Sequence, residues 1–248
     1  MVGLVERFKK RLNREKFAPT WIGFIANPSY LIRKPLHDAI QARAVEITGR
    51  VLDFGCGSKP YRELFAHVDD YVGMDIAVSG HDHQNSHVDV YYDGKTFPFE
   101  DGSFDAVISF EVFEHVFNLP EMLAEIKRVL KPGGKLLISA PFGWDEHEVP
   151  YDFGRYTSFG MKHVLETNGF EVASIHKTGN YVRAVAQLWI AYLHQRIGPR
   201  SGLPRAIFQF FVLFPFTALG WTASKILPKS DQYFCNLVVQ ARTPDLNG

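Results

Sequence analysis

The sequence predicts an α/β fold in which short apolar strands alternate with amphipathic helices, the pattern that assembles a mostly parallel sheet. Three observations predict it. Val51-Leu52-Asp53-Phe54 reads as a buried strand that breaks into a glycine loop, Gly55-Cys56-Gly57. Val72-Gly73-Met74-Asp75-Ile76 is a second short apolar run, and it carries an acid, Asp75, about 20 residues beyond the glycine turn. Downstream, apolar runs and helical periodicities keep alternating as far as residue 177.

Taken in order, residues 1–16 predict a short basic helix with Val2, Val5, Phe8 and Leu12 on one face, either solvated or laid on a membrane surface. After Asn27-Pro28-Ser29-Tyr30, residues 31–48 read as a helix leading to the first strand at 50–54. Strands are expected near 71–75, 88–92, 104–110 and 135–140, with helices near 60–66, 119–130 and 158–168. Leu130-Lys131-Pro132-Gly133-Gly134 reads as a helix stop before the next strand. A strand at 170–177 follows, and Asn236-Leu237-Val238-Val239-Gln240-Ala241-Arg242 reads as the last one. Between them, residues 206–224 carry no charge, are flanked by Arg205 and Lys225, and approach the length of a bilayer span. The expected organisation is an N-terminal helical cap (1–48), a ligand-binding core (49–180), an apolar helical insertion (181–229) and a last strand with its tail (230–248).

A chain of 248 residues is long enough for one sizeable core with decorations. Its 27 Lys plus Arg balance 27 Asp plus Glu, so no global field points to nucleic acid. Two cysteines, Cys56 and Cys235, make no disulfide framework and suit a reducing cytosol. Cys56 reads as a small loop filler rather than a nucleophile. The basic N-terminus lacks an apolar stretch of secretory type. The expected location is therefore cytoplasmic, with peripheral contact at the inner face of the membrane as an option left open by the apolar insertion.

An acid placed like Asp75 after a glycine-rich strand-to-helix turn holds a ribose diol in nucleotide-binding α/β folds. The glycines allow close approach of backbone to ligand. A dinucleotide fingerprint would need a third glycine where Pro60 stands. Asp53, one residue before the end of its strand, would repel a pyrophosphate. It suits a ligand with positive charge at that end, such as the ammonium and sulfonium of S-adenosylmethionine (SAM).

With VLDFGCGSKPY, YVGMDI, FPFEDGSFDAVISFEVFEHV and EIKRVLKPGGKLLISAPF in place, the chain resembles the class I SAM-dependent methyltransferases, of the broad group that includes quinone-biosynthesis enzymes. The resemblance covers roughly 50–180 and the strand at 236–242. It implies a Rossmann-like, seven-stranded, mostly parallel sheet with an antiparallel last strand, and SAM across the carboxyl ends of the first strands. By position it implies that Asp53, Gly55, Cys56 and Gly57 line the methionine part of SAM. Asp75, beside Ile76, would bind the ribose hydroxyls, and Asp93 would meet the adenine amino group. Phe110 and Glu111 would stand beside the methyl-donor centre.

Methyl transfer is an in-line displacement helped by holding acceptor and methyl in register, and an oxygen acceptor usually needs a base. His115 and His147 are the candidates, the latter in a loop that also holds Glu148, Asp152, Arg155 and Tyr156. On a helix, Glu111, Glu114 and His115 would share one face. With His147 they would make a divalent-metal site, similar to the Glu-x-x-Glu-His…His set of small-RNA 2′-O-methyltransferases. The plainer expectation is that no metal is bound and the Glu-His pair caps and packs the helix. His81, His83 and His87 read as a polar loop without assigned role.

The insertion is expected to act as a lid or homodimer surface, or as an interfacial helix pair. A membrane span would leave the last strand on the wrong side. Either surviving reading implies a bulky or apolar acceptor, a small molecule or a lipid-linked one. A non-catalytic SAM-binding scaffold is the competing class, and an NAD-binding protein is disfavoured by Pro60 and Asp53.

Overall fold

The structure, a computed structural model, describes residues 13–77 and 87–245. The chain divides into two compact units: Ile40–His176 with Leu237–Gly248, and Met1–Ala39 with Lys177–Asn236. The first is built on a seven-stranded sheet, with strands β1 (Arg50–Phe54), β2 (Asp70–Ile76), β3 (Val90–Tyr92), β4 (Phe104–Phe110), β5 (Leu130–Pro141), β6 (Glu171–Lys177) and β7 (Asn236–Arg242). Their order is β3-β2-β1-β4-β5-β7-β6.

The first five strands are parallel, with Asp53 opposite Gly73, Leu52 opposite Val107 and Val107 opposite Leu136. Their apolar runs are near-continuous because both faces are covered. β7 turns against this direction: Gly133 N donates to Pro244 O while Thr243 N donates to Gly134 O, a falling register that only antiparallel chains make. Those bonds recruit Lys131-Pro132-Gly133-Gly134 into β5. The segment expected to separate helix from strand is thus itself strand, and α3 (Leu119–Val129) hands over to β5 without a loop. The helix expected at 60–66 is a single 3₁₀ turn, Arg62–Phe65, and the helix expected at 31–48 is α2 (Tyr30–Ala44). The basic helix expected at 1–16 lies largely outside the described residues, as do His81 and His83.

α3 buries Leu119, Met122, Leu123, Ile126 and Val129, a spacing that puts all five on one stripe. α4 (Ser158–Thr167) starts at Thr157, whose hydroxyl accepts from Gly160 N. Phe54, Phe65, Phe97, Phe104 and Phe113 are fully buried and supply much of the core volume. Arg128 fixes the loop before β4: it donates to the carbonyls of Phe97 (2.9 Å) and Phe99 (2.8 Å) and pairs with Asp101 and Glu125.

The second unit is helical. α1 (Trp21–Ala26) is capped by Thr20, which Glu15 holds through the backbone N–H (2.7 Å) and hydroxyl. α5 (Tyr181–Tyr192) starts at the Asn180 cap and continues through a π turn to Ile197. α6 (Gly202–Phe208), a second π turn and α7 (Phe214–Ile226) form one continuous helix of 25 residues. Buried Gln187 ties α5 to the start of α2, accepting from Ile32 N (3.2 Å) and donating to Pro28 O (2.9 Å). Gly220 lets α7 approach α5, since a Cβ there would stand 2.5 Å from the Cβ of Ala186.

Arg128→Ala strands the Phe97 and Phe99 carbonyls and should lower unfolding stability by about 2 kcal/mol, the range for hydrogen bonds to a charged group. Denaturant titration measures it, and an unchanged midpoint would show that the loop stands without its arginine.

Candidate active site

β1 ends at Phe54, and the chain turns through Gly55 (φ +73°) and Gly57 (φ +48°). Both lie in the left-handed region that a side chain disfavours. At Gly55 the reason is also steric, since a Cβ would meet Val112 at 2.4 Å. That contact packs the turn after β4 directly on the glycine loop. At Gly57 a Cβ would meet nothing within 4 Å among the described residues, so the backbone there faces open space.

The loop is anchored from β2. Gly55 N and Cys56 N both donate to Met74 O, at 2.8 and 3.1 Å. Gly57 N donates to one oxygen of Asp75 (2.8 Å) and Ile76 N to the other (2.7 Å). Cys56 is buried, and desolvation pushes its thiol well above the usual range, leaving it neutral. Lys59 crosses over Gly73 and pairs with Asp89, which also accepts from Gly73 N at 2.7 Å.

Asp53 is buried and accepts a hydrogen bond from the Tyr71 hydroxyl. Desolvation pushes its carboxyl up to about 7, against the lowering effects of Tyr71 and Lys59. Asp93 is exposed. Its Oδ1 accepts from the N–H groups of Lys95 and Thr96, at 2.9 Å each, and these bonds hold its carboxyl below the usual range. Phe110 stacks on Phe65 and meets Tyr61 edge-on.

The turn after β4 departs from the expected helix. Glu111 sits at φ +57°, with its N–H donating to Ser139 O (3.1 Å) and its carboxylate accepting from the Ser139 hydroxyl (2.7 Å). Only Phe113–His115 form a 3₁₀ turn. Glu111 therefore does not share a helix face with Glu114 and His115; β5 has claimed its backbone and side chain.

Glu114, His115 and His147 do come together, with ligand atoms all within 4.8 Å of one another. Glu114 is fully buried, and neither carboxylate oxygen has a hydrogen-bond partner among the described residues. Burial, then the charge of Glu111, raises its carboxyl well above the usual range. His115 Nδ1 lies 2.7 Å from Tyr151 O, which assigns the proton to Nδ1 and leaves a bare Nε2 aimed inward. That Nε2 is 3.7 Å from both Glu114 Oε1 and Glu148 Oε1. His147 Nδ1 faces Asp145 O and Asp152 Oδ2 at 3.2 Å each, and its Nε2 lies 3.8 Å from Glu114 Oε1. Burial, then His115, lowers the His147 imidazole below the ordinary value.

Arg155 clamps Asp152 with both ends of its guanidinium and reaches Asp145 O at 3.0 Å. Burial works to raise the Asp152 carboxyl, but Arg155 and the His147 N–H bring it to about 2. Phe153 N and Gly154 N donate to Glu114 O, which sews this loop to the turn after β4. Glu111, Glu148 and Lys59 are the described non-glycine residues with positive φ, and all three lie in these loops. Sequence reasoning missed Tyr71 and Ser139. Tyr71 was in reach, since it lies two residues from the partner of Asp53 in a parallel register and so faces the same side.

The loop fits SAM: open space stands over Gly57, and acids end the two strands that frame it. Residues 52–138 match the family described as a methyltransferase domain. The chain is 30% identical over 164 residues to a Mycolicibacterium smegmatis protein named "Probable S-adenosylmethionine-dependent methyltransferase", covering 63% of this chain and 61% of that one. It is 37% identical over 106 residues to phthiotriol/phenolphthiotriol dimycocerosates methyltransferase 1 of Mycobacterium ulcerans (39% of each chain). It is 36% identical over 126 residues to a ubiquinone biosynthesis O-methyltransferase of Xanthomonas oryzae pv. oryzae (43% and 52%). The chain thus spans less than two thirds of these relatives' lengths. Among solved structures it resembles a SAM-dependent methyltransferase from Mesorhizobium loti (TM-score 0.52, 15% identity, 86% and 99% covered). It also resembles the 4+2 cyclase SpnF (TM-score 0.53, 20% identity, 85% and 81% covered). The sheet order and glycine loop are those of a Rossmann-like α/β domain, and residues 52–138 of it match the methyltransferase domain. The matched domain and the named relatives support a class I SAM-dependent methyltransferase.

Because the Asp53 carboxyl is raised, the stability it contributes is full below the unfolded value near 4 and is lost as pH rises through about 7. The melting temperature of Asp53→Asn should therefore gain on that of the parent between pH 5 and pH 8 in the absence of ligand. A difference that stays constant would remove the buried carboxyl as its cause.

Proposed function

We propose that the protein transfers a methyl group from SAM to an oxygen of a bulky or apolar acceptor. The observation that carries the reading is the convergence of two imidazole Nε2 atoms on buried Glu114, in the turn after β4 that packs on the glycine loop through Val112. SAM supplies an electrophilic methyl on a sulfonium. Asp53 offers a carboxylate to its positive end, Gly57 leaves the space, and Asp75 presents a carboxylate whose remaining lone pairs suit ribose hydroxyls. Asp93 and Glu111 are assigned the adenine end and the region of the methyl donor by position, although each already spends an oxygen within the protein.

His147 is the more exposed of the two imidazoles and stays neutral near pH 7 through burial. Its Nε2 takes the acceptor's proton, and Asp152, held ionised by Arg155 and 3.2 Å from Nδ1, stabilises the imidazolium that results. His115 holds the other side of Glu114. The Asp152–Arg155 clamp orients the loop that carries His147. Support for an apolar acceptor comes from relatives whose names refer to phthiotriol dimycocerosates and to ubiquinone biosynthesis.

One observation favours a second reading. Both Glu114 oxygens and His115 Nε2 are buried without partners, and each imidazole has its Nδ1 held by an oxygen, the arrangement that presents nitrogen lone pairs to a divalent cation. Two imidazoles and one carboxylate, with Glu148 beside them in place of Glu111, would then orient the acceptor oxygen and lower its pKa. A scaffold that binds SAM without turnover is the remaining class, and the cyclase among the structural neighbours shows that this fold alone does not name a reaction.

Three outcomes test these assignments. Asp75→Ala should weaken SAM binding by about 1–3 kcal/mol in calorimetry; unchanged affinity sinks the role of Asp75. Formation of S-adenosylhomocysteine with lipid extracts identifies an enzyme, whereas binding without turnover across extracts identifies a scaffold. Turnover that persists in excess EDTA, and falls by about 10²-fold or more in His147→Ala with SAM affinity retained, supports the base. Turnover that EDTA abolishes and a divalent cation restores supports the metal.

A further inference from the structure

The helical unit carries a broad exposed apolar surface. The continuous helix Gly202–Ile226 is long and apolar enough to cross a membrane, yet only 17% of its apolar window is buried. What it buries is a narrow stripe, Leu213, Thr217, Gly220 and Ser224, at helical spacing. The rest is open: Leu203 is 73% exposed, Phe211 70%, Leu219 66% and Ile226 76%. On α5, Trp189 and Tyr192 stack on one another and are each half-exposed, and Trp21 on α1 is 72% exposed. Scattered apolar residues are ordinary on a protein surface, but a run of this length on one helix is not.

Charge says what covers it. Residues 172–230 contain no Asp or Glu, while Arg183, Arg196, Arg200, Arg205, Lys225 and Lys229 fall within the helices and their connections. Three of these cations gather at the turn between α5 and α6, where Arg205 donates to Arg200 O. Lys225 and Lys229 stand at the far end, with Lys225 over the Trp221 ring. A second copy of the same face would bring cations onto cations with no carboxylate to meet them. A surface of anionic headgroups over an apolar phase meets both features, with aromatic rings at the boundary and cations reaching the phosphates.

We propose that this unit docks on an anionic lipid bilayer as a monotopic anchor, with Gly202–Ile226 lying in the interface rather than across it. Topology excludes the crossing. The chain leaves the sheet after β6 and re-enters it as β7, the strand that sits between β5 and β6. One span would put β7 on the opposite side from its partners. A hairpin of two spans would carry Arg196, Arg200 and Arg205 through the hydrocarbon.

The test is flotation of the full chain with vesicles of phosphatidylcholine containing 30% phosphatidylglycerol, beside vesicles of phosphatidylcholine alone. The expected result is flotation with the anionic vesicles, at least ten-fold weaker partition to the neutral ones, and release by alkaline carbonate. Phe211→Asp with Leu219→Asp should cut anionic partition ten-fold or more, and circular dichroism and melting temperature show whether the variant folds. Arg200→Glu with Lys229→Glu should cut partition while the apolar face is intact, so the proposal does not depend on one variant. Protein that stays at the bottom of the gradient, as monomer or dimer by light scattering, overturns it. So does equal partition to neutral vesicles, and so does resistance to carbonate, which would mean a span.

Discussion

Met74 O, near the end of β2, accepts hydrogen bonds from both Gly55 N and Cys56 N, and through those bonds one strand end holds the turn that leaves its neighbour. The rest of the ligand loop follows. With the first two N–H groups turned toward β2, Gly57 N is presented to Asp75, and Gly57 itself is left facing open space. Val112 then has a surface to pack on, which brings the turn after β4, with Glu114 and His115, against the loop. The cost is electrostatic. Asp53 and Asp75 end adjacent parallel strands with few cations near, and desolvation of Asp53 is only partly offset by Tyr71 and Lys59. A ligand with positive charge would offset that crowding, so the two acids favour a cation at the loop.

Glu114 poses the sharper physical problem. A fully buried carboxylate without a donor is costly in any fold, and packing gives no reason to keep it. Its neighbourhood is nonetheless built around it: two imidazoles turned so that their Nε2 atoms face it, a backbone carbonyl that takes two N–H bonds from the loop after β5, and an Asp152–Arg155 clamp behind His147. Structure that elaborate around an unsatisfied group is characteristic of sites whose partner arrives with the reaction, be it a proton from the acceptor or a cation.

The parts legible in the sequence were those governed by local rules. Apolar continuity marked β1 and β4, glycine at 55 and 57 marked the loop, and periodicity marked α3 within a residue of its end. Failures came where a distant strand overrode local preference. Glu111-x-x-Glu114-His115 has helical spacing, but Ser139 captures Glu111 from β5, and the residue adopts a left-handed conformation that spacing does not reveal. Lys131-Pro132-Gly133-Gly134 is written like a helix stop, yet Thr243 and Pro244 pair with it and draw it into the sheet. The meeting of His115 with His147 was half legible, because both follow strands that lie side by side. Their orientation was not, because it depends on the carbonyls of Tyr151 and Asp145.

The strand order has a consequence for how the molecule is made. Among the described residues β6 pairs in the sheet with β7 alone, and β7 is the last of the described strands in sequence. As the chain emerges during synthesis, β6 and then the exposed apolar helices from Tyr181 to Ile226 exist before β7 does. For that interval the sheet ends at β5, with an unpaired edge awaiting a segment more than 90 residues downstream. Closure of the sheet is thus a late, non-local event, of the kind that is slow and exposed to competing contacts. The order of appearance gives the apolar helices an opportunity to find a surface before the fold is complete.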